Sequence, residues 1–160
     1  MFSKTRQQGV YTVEFAVVGA VFFLFLFAVL EIGRLFFTWN VLTEVSRRGA
    51  RLATVCNLLA DTSDPASIET PIPMSELAVF ADYNLLPNLT TNNLRIRYLK
   101  DNADDADSHT EIQFVRAEIV NYQHDLLIPF VSLTLNSPTF ATTLPRESLG
   151  VTRWGYTSCS

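Results

Sequence analysis

An unbroken run of uncharged residues extends from Phe15 to Leu30, and the pattern of polar positions differs on either side of it. The run counts sixteen residues, short for a lone membrane-crossing helix of about 20. Adding Val10–Val13 brings it to spanning length and leaves Glu14 near one interface. Beyond Leu30 the pattern turns amphipathic, with no proline from Glu31 to Ala60. Leu35, Trp39, Leu42, Ser46, Gly49, Ala53 and Cys56 recur at gaps of four and three, one stripe of an α-helix. Glu31 precedes Arg34 by three residues, and Glu44 precedes Arg47 and Arg48 by three and four, so both can form helix-face pairs. One helix is therefore predicted from Val10 to about Leu59, about 75 Å long at ~1.5 Å per residue. Ser46, Gly49 and Ala53 allow close approach of another element, either the head of this chain or a neighbouring subunit.

Composition changes after Ala60. Residues 61–73 hold three prolines and two serines and read as an exposed linker. Ser75 is placed to cap a short helix from Glu76 to about Asn84, with Leu77, Phe80 and Ala81 on one face. Leu94–Lys100 alternates and predicts a strand, and Glu111–Tyr122 predicts a second. The polar segment Asp101–His109 joins them as a long hairpin loop. A third strand is expected at Thr139–Leu144, after a looser apolar stretch from Leu126 to Leu135. The expected class is α+β: a long N-terminal α-helix, transmembrane in its first half, packed against a small antiparallel β-sheet head. The expected division is a leader at 1–9, a span at 10–30, an amphipathic continuation at 31–60 and a head at 61–160. There is no internal repeat.

Charge orients this plan. Met1–Gly9 carries Lys4 and Arg6 and no acid. Positive charge ahead of a first span favours keeping that end in the cytoplasm. A cleavable secretory signal needs small residues after the apolar run, and Leu30–Arg34 does not supply them; an ordinary signal anchor remains an alternative. A net charge of −4 gives no reason to expect nucleic-acid binding. Both cysteines, Cys56 and Cys159, follow the span, and an even count in an exported domain is compatible with a disulfide. Such a bond would close a loop of about 100 residues and stabilise by up to about 4–5 kcal/mol on the chain-entropy model. Two free or buried thiols are the alternative.

Sites of reaction chemistry are not expected. Asp101, Asp104, Asp105 and Asp107 are clustered as calcium ligands often are, but without EF-hand spacing, so a solvated loop is the expectation. His109 and His124 lack the spacing of zinc ligands. The chain has no G-x-S-x-G, no phosphate-binding glycine loop and no H-E-x-x-H. We expect no catalytic site, no metal and no cofactor. Arg47, Arg48 and Arg51 form a basic band, whereas five acids and no Lys or Arg lie between Leu52 and Leu94. Neutralisation within the chain and complementary faces on successive subunits are the two readings.

Glu14 stands out against this background. A carboxylate at the mouth of an apolar span is costly and is read as functional. Its obvious partner is the α-amino group of Val10, which exists only if the chain is cut after Gly9. Gly9-Val10-Tyr11-Thr12-Val13-Glu14 behind a basic leader resembles the type IV pilin signal. That resemblance implies that a membrane aspartyl peptidase cuts after the glycine on the cytoplasmic side. It also implies that a glutamate at the fifth mature position serves assembly.

Residues 14–18, Glu-Phe-Ala-Val-Val, and a juxtamembrane pattern are similar to TadE-like minor pilins of tight-adherence (Tad) pili. The pattern consists of Glu31, Gly33, Arg34, Asn40, Leu42, Glu44, Arg48, Gly49, Ala50 and Arg51. The similarity covers about residues 9–54. Two positions depart from the pattern: Gly19-Ala20 stands where such proteins often carry proline, and Val10 replaces the phenylalanine usual in major pilins. The resemblance implies a minor pilin or pseudopilin that supports pilus assembly, surface adherence and biofilm formation. It implies a single pass through the bacterial inner membrane, a cytoplasmic N-terminus and a periplasmic head, with passage into the extracellular pilus on assembly. Its implied partners are the prepilin peptidase, other pilin and minor-pilin subunits and the Tad inner-membrane platform. The runner-up is a permanently anchored periplasmic accessory protein that never enters a filament. An anchored periplasmic binding or sensor domain is a third reading.

Overall fold

The computed structural model describes residues 8–59, 63–64, 66–127, 133–157 and 159, with residues 8 and 9 described by their backbone alone. The leader ahead of Gln8 and part of the expected linker lie outside the described residues. The first element, α1, is a single helix from Gln8 to Val55. It stops short of Leu59 because Asn57 offers the backbone an alternative partner. The Asn57 side-chain carbonyl accepts the Leu59 N–H at 3.2 Å, a local bond that competes with helical pairing.

The second helix, α2, spans Ile72–Ala78. It starts at Ile72 instead of Glu76, and Ser75 does not cap it. Pro71 holds the N-cap position and a second proline falls in the first turn, where a missing N–H breaks no helical bond. Ser75 Oγ donates back to the Pro71 carbonyl at 3.5 Å. The buried face is Met74 and Ala78, not Leu77, Phe80 and Ala81. Phe80 takes a left-handed backbone (φ 56°) and a single 3-10 turn follows at Ala81–Tyr83.

Among the described residues, seven short strands follow: β1 (Leu94–Leu99), β2 (Phe114–Ile119), β3 (Gln123–Asp125), β4 (Thr134–Asn136), β5 (Ala141–Pro145), β6 (Val151–Thr152) and β7 (Gly155–Tyr156). β1, β2 and β5 form one antiparallel sheet in that order. β3 pairs with β4, and β6 with β7. The expected strands are thus present, the second trimmed to Phe114–Ile119 and the third placed at Ala141–Pro145. Alternation along the three-stranded sheet sends Leu94, Val115, Ala117 and Ile119 into the core. It sends Arg95, Arg97 and Arg116 to the other face. Arg97 and Arg116 are direct cross-strand partners, a like-charge pairing that destabilises unless relieved. Arg97 relieves it by bonding Asp105 at 2.8 Å, and Arg116 by reaching Glu118 at 3.3 Å.

The fold divides into two compact units. One is α1 up to Phe37 together with His124–Leu135; the other is Thr38–Gln123 together with the chain from Asn136 onward. The second unit holds the core. Leu42, Val45 and Ala50 of α1 pack with Leu94, Ala117, Ile119 and Tyr122. Ala53 and Cys56 pack with Met74, Tyr98, Ile112, Val115 and Leu149. Gly49 is where helix and sheet come closest: a Cβ there would lie 3.3 Å from Ala117 Cβ and from both Leu94 methyls. Ser46 Oγ lies 3.0 Å from Thr142 Oγ1. The small residues of the stripe therefore serve the packing of the chain's own head.

The C-terminal segment closes over the end of α1. The Leu149 N–H donates to the Thr54 carbonyl, and the Asn57 N–H to the Thr157 carbonyl, each at 2.9 Å. Gly150 sits between them at φ 80°, and a Cβ there would strike the Asn57 backbone. Cys56 and Cys159 form a disulfide with Cα atoms 5.6 Å apart across a sequence separation of 103.

Candidate functional site

Three places along α1 carry chemistry. The first is its beginning. Gly9 and Val10 lie at the start of the helix, and Glu14 follows Val10 by one turn, so the two share a face. Glu14 is exposed among exposed apolar side chains, with Phe15 at 80% and Val18 at 68%. None of the ion pairs among the described residues involves Glu14. Apolar residues are exposed all round the helix from Val10 to Leu30, which is what a helix surrounded by lipid or by other apolar helices requires. Among the described residues this is the one helix long and apolar enough to cross a membrane.

The second place follows directly. Glu31 ends the uncharged run and is 5% exposed. Arg34 Nη1 donates to both of its carboxylate oxygens, at 2.8 and 2.7 Å. His124 Nε2 lies 3.2 Å from Glu31 Oε1 and is also 5% exposed. The helix-face pair was expected; the histidine was not. Its partner lies 93 positions away in sequence, so no spacing rule reaches it. A buried carboxylate held by two nitrogen groups satisfies the condition on which charge is tolerated away from water.

The third place is the amphipathic half. Leu42, Gly49 and Ala50 are buried against the head, whereas Gly33, Asn40, Glu44 and Arg51 face outward. Glu44 makes no ion pair among the described residues. Arg48 instead stands over the Phe80 ring at 4.5 Å, because an aromatic face beside a half-buried guanidinium outweighs an exposed i,i+4 pair of ~0.3–0.5 kcal/mol. The motif residues are therefore not one site but a helix with a buried ion cluster, a packing face and an outer polar face.

The acidic loop is internally bonded. Asp105 pairs with Arg97, and Lys100 reaches both Asp107 at 2.7 Å and Glu111 at 3.3 Å. The Arg97 hydrogen bond and charge hold the Asp105 carboxyl below its ordinary range. Bonds to Asp107 and Glu111 raise the Lys100 ammonium. Burial pushes the Tyr98 hydroxyl well above the usual tyrosine value. No group of three or more His, Cys, Asp or Glu among the described residues is placed to hold a metal ion.

This arrangement, an exposed apolar helix that starts at the Gly9–Glu14 motif and ends in a head-packing stripe, coincides with a family match. Residues 9–51 match the family model described as TadE-like protein. Over that segment the chain is similar to TadE-like proteins. The match supports a TadE-like protein of the Tad pilus system, and it stops within α1. A search of curated proteins and a search of solved structures each returned no match. The TadE-like segment contains Gly9, Val10, Glu14, Glu31 and Arg34, but not His124 or either cysteine.

Proposed function

We propose that this TadE-like chain is a minor pilin (pseudopilin) of a Tad-type pilus. It is an enzyme's substrate and not itself an enzyme. The observation that carries the reading is that the match begins at Gly9 and runs through an apolar helix bearing Glu14 one turn beyond Val10. The basic leader holds the N-terminus in the cytoplasm of a bacterial inner membrane and sends the head to the periplasm. A prepilin peptidase then cuts between Gly9 and Val10. The new amino group and the Glu14 carboxylate lie about one turn apart, so each can meet its counterpart on the same chain or on a neighbour at the same depth. In low dielectric an unpaired amine or carboxylate is expensive, and pairing drives docking and sets subunit depth. The partners are other pilin and minor-pilin subunits and the Tad inner-membrane platform.

The test replaces the sole copy with Glu14→Ala. The expected result is normal insertion and processing, accumulation of the mature protein in the membrane fraction, and loss or strong reduction of pili and surface adherence. Normal piliation in that strain removes the assembly role. Probing sheared pili for the wild-type chain distinguishes a filament subunit from a permanently anchored accessory protein.

A further inference from the structure

The hairpin made by β3 and β4 belongs to the same compact unit as the first part of α1, while its base residues Gln123 and Asn136 belong with the head. Beyond that base the chain runs beside the helix where the uncharged run ends. His124 docks on Glu31 there, with both side chains buried. The hairpin is held by bonds of its own: the Leu126 N–H donates to the Leu133 carbonyl at 3.0 Å, and Thr134 Oγ1 to Asp125 Oδ1 at 2.7 Å. It exposes Leu127 at 68% and Leu133 at 51%. From Leu126 to Pro145 the sequence carries no charged residue.

Depth along α1 gives these leucines a setting. Glu14 and Glu31 are separated along the helix axis by about 26 Å, close to the ~30 Å hydrocarbon thickness of a bilayer. Glu31 therefore marks the far edge of the span. Over the next turn and a half the helix still exposes Ile32, Phe36 and Phe37 beside Arg34. The exposed leucines belong to the hairpin whose His124 docks at that edge.

We propose that the hairpin is a second membrane contact: it lies in the outer lipid interface beside the span, with Leu127 and Leu133 against lipid and His124 covering the Glu31–Arg34 ion pair. Arg34, whose side chain is 41% exposed, extends its charge to the headgroup region. The partner is the lipid surface of the same bilayer that α1 crosses. The proposal rests on the reading of Val10–Leu30 as a membrane span.

The experiment uses the full chain in phosphatidylcholine–phosphatidylglycerol vesicles. Single nitroxide labels are placed at Leu127→Cys, Leu133→Cys, Val21→Cys in the span and Thr152→Cys in the head, and collision with oxygen is compared with collision with a water-soluble nickel complex. The expected result is an oxygen-to-nickel preference at Leu127 and Leu133 several-fold above that at Thr152, at an interfacial depth of about 5–10 Å. Water-like values at Leu127 and Leu133 with a lipid value at Val21 overturn the hairpin contact and leave the span standing. Shielding from both reagents also overturns it, because it places protein rather than lipid over the leucines. A water-like value at Val21 overturns the span and the hairpin contact together.

Discussion

Replacing Cys159 by serine removes the covalent tie between the C-terminal segment and the end of α1. The bond closes a loop with a sequence separation of 103, for which loop entropy sets a contribution of about 4.7 kcal/mol. Part of the same closure is held without it. The Leu149–Thr54, Asn57–Thr157 and Thr157–Gly150 backbone bonds, at 2.9, 2.9 and 2.7 Å, survive the substitution. They keep the segment near the helix only while the rest of the head is folded, so they do not restrict the unfolded chain as the disulfide does. We expect a loss of about 2–5 kcal/mol, the usual range for a native disulfide in a small exported domain. For a head of about 100 residues this lowers Tm by about 10–30 °C. The assay is thermal unfolding of the full chain in detergent, followed by near-UV circular dichroism, which reads the packed head. Cys159→Ser, Cys56→Ser and the double variant should fall by similar amounts, because each removes one and the same bond. Reductant should lower wild type towards them. Unchanged melting in both the variant and the reduced wild type refutes the argument.

Gly49→Leu should destabilise the head by about 1–3 kcal/mol, since the side chain enters a contact already at 3.3 Å from Ala117 and Leu94. A denaturant midpoint equal to or above wild type contradicts this packing. His109 gives a pH dependence: burial and then the Arg146 charge hold its imidazole below the ordinary value of 6.5, against a backbone hydrogen bond at Leu149. The folded head thus resists protonation, so stability is full above that value and declines as pH falls toward the lowered pKa. Melting curves across the imidazole range should show this decline in wild type and a flatter profile in His109→Gln; a wild-type rise on acidification contradicts it.

The helix was legible in the sequence because two independent patterns join without a break: an uncharged run to Leu30, then apolar positions at helical gaps through Cys56. β1 and β2 were legible because one face is buried and alternation follows. The start of α2 was misread because Ser75 has a capping side chain, while Pro71 and Pro73 already begin the helix by restricting the backbone. The pair that Glu44 could make with Arg48 does not form, because Phe80, far along the chain, draws Arg48 away. β6 and β7 are two residues each, too short for any period, and what ties them to the head is the bond from Asn57, far back along the chain, to the Thr157 carbonyl. His124 was invisible as a site residue for a related reason: its meaning comes from the fold that brings it to Glu31. At the candidate site, the local motif from Gly9 to Glu14 could be read directly, and the long-range ion cluster could not.

The central claim is that the chain is processed at the start of α1 and acts through the N-terminus so created. Intact-mass analysis of the protein from piliated cells tests it most directly. The account predicts a mature chain beginning at Val10 in wild type, and a full-length chain retained in the inner membrane for Gly9→Leu, whose bulky side chain obstructs docking at the scissile bond. Met1 retained throughout the wild-type protein would contradict it.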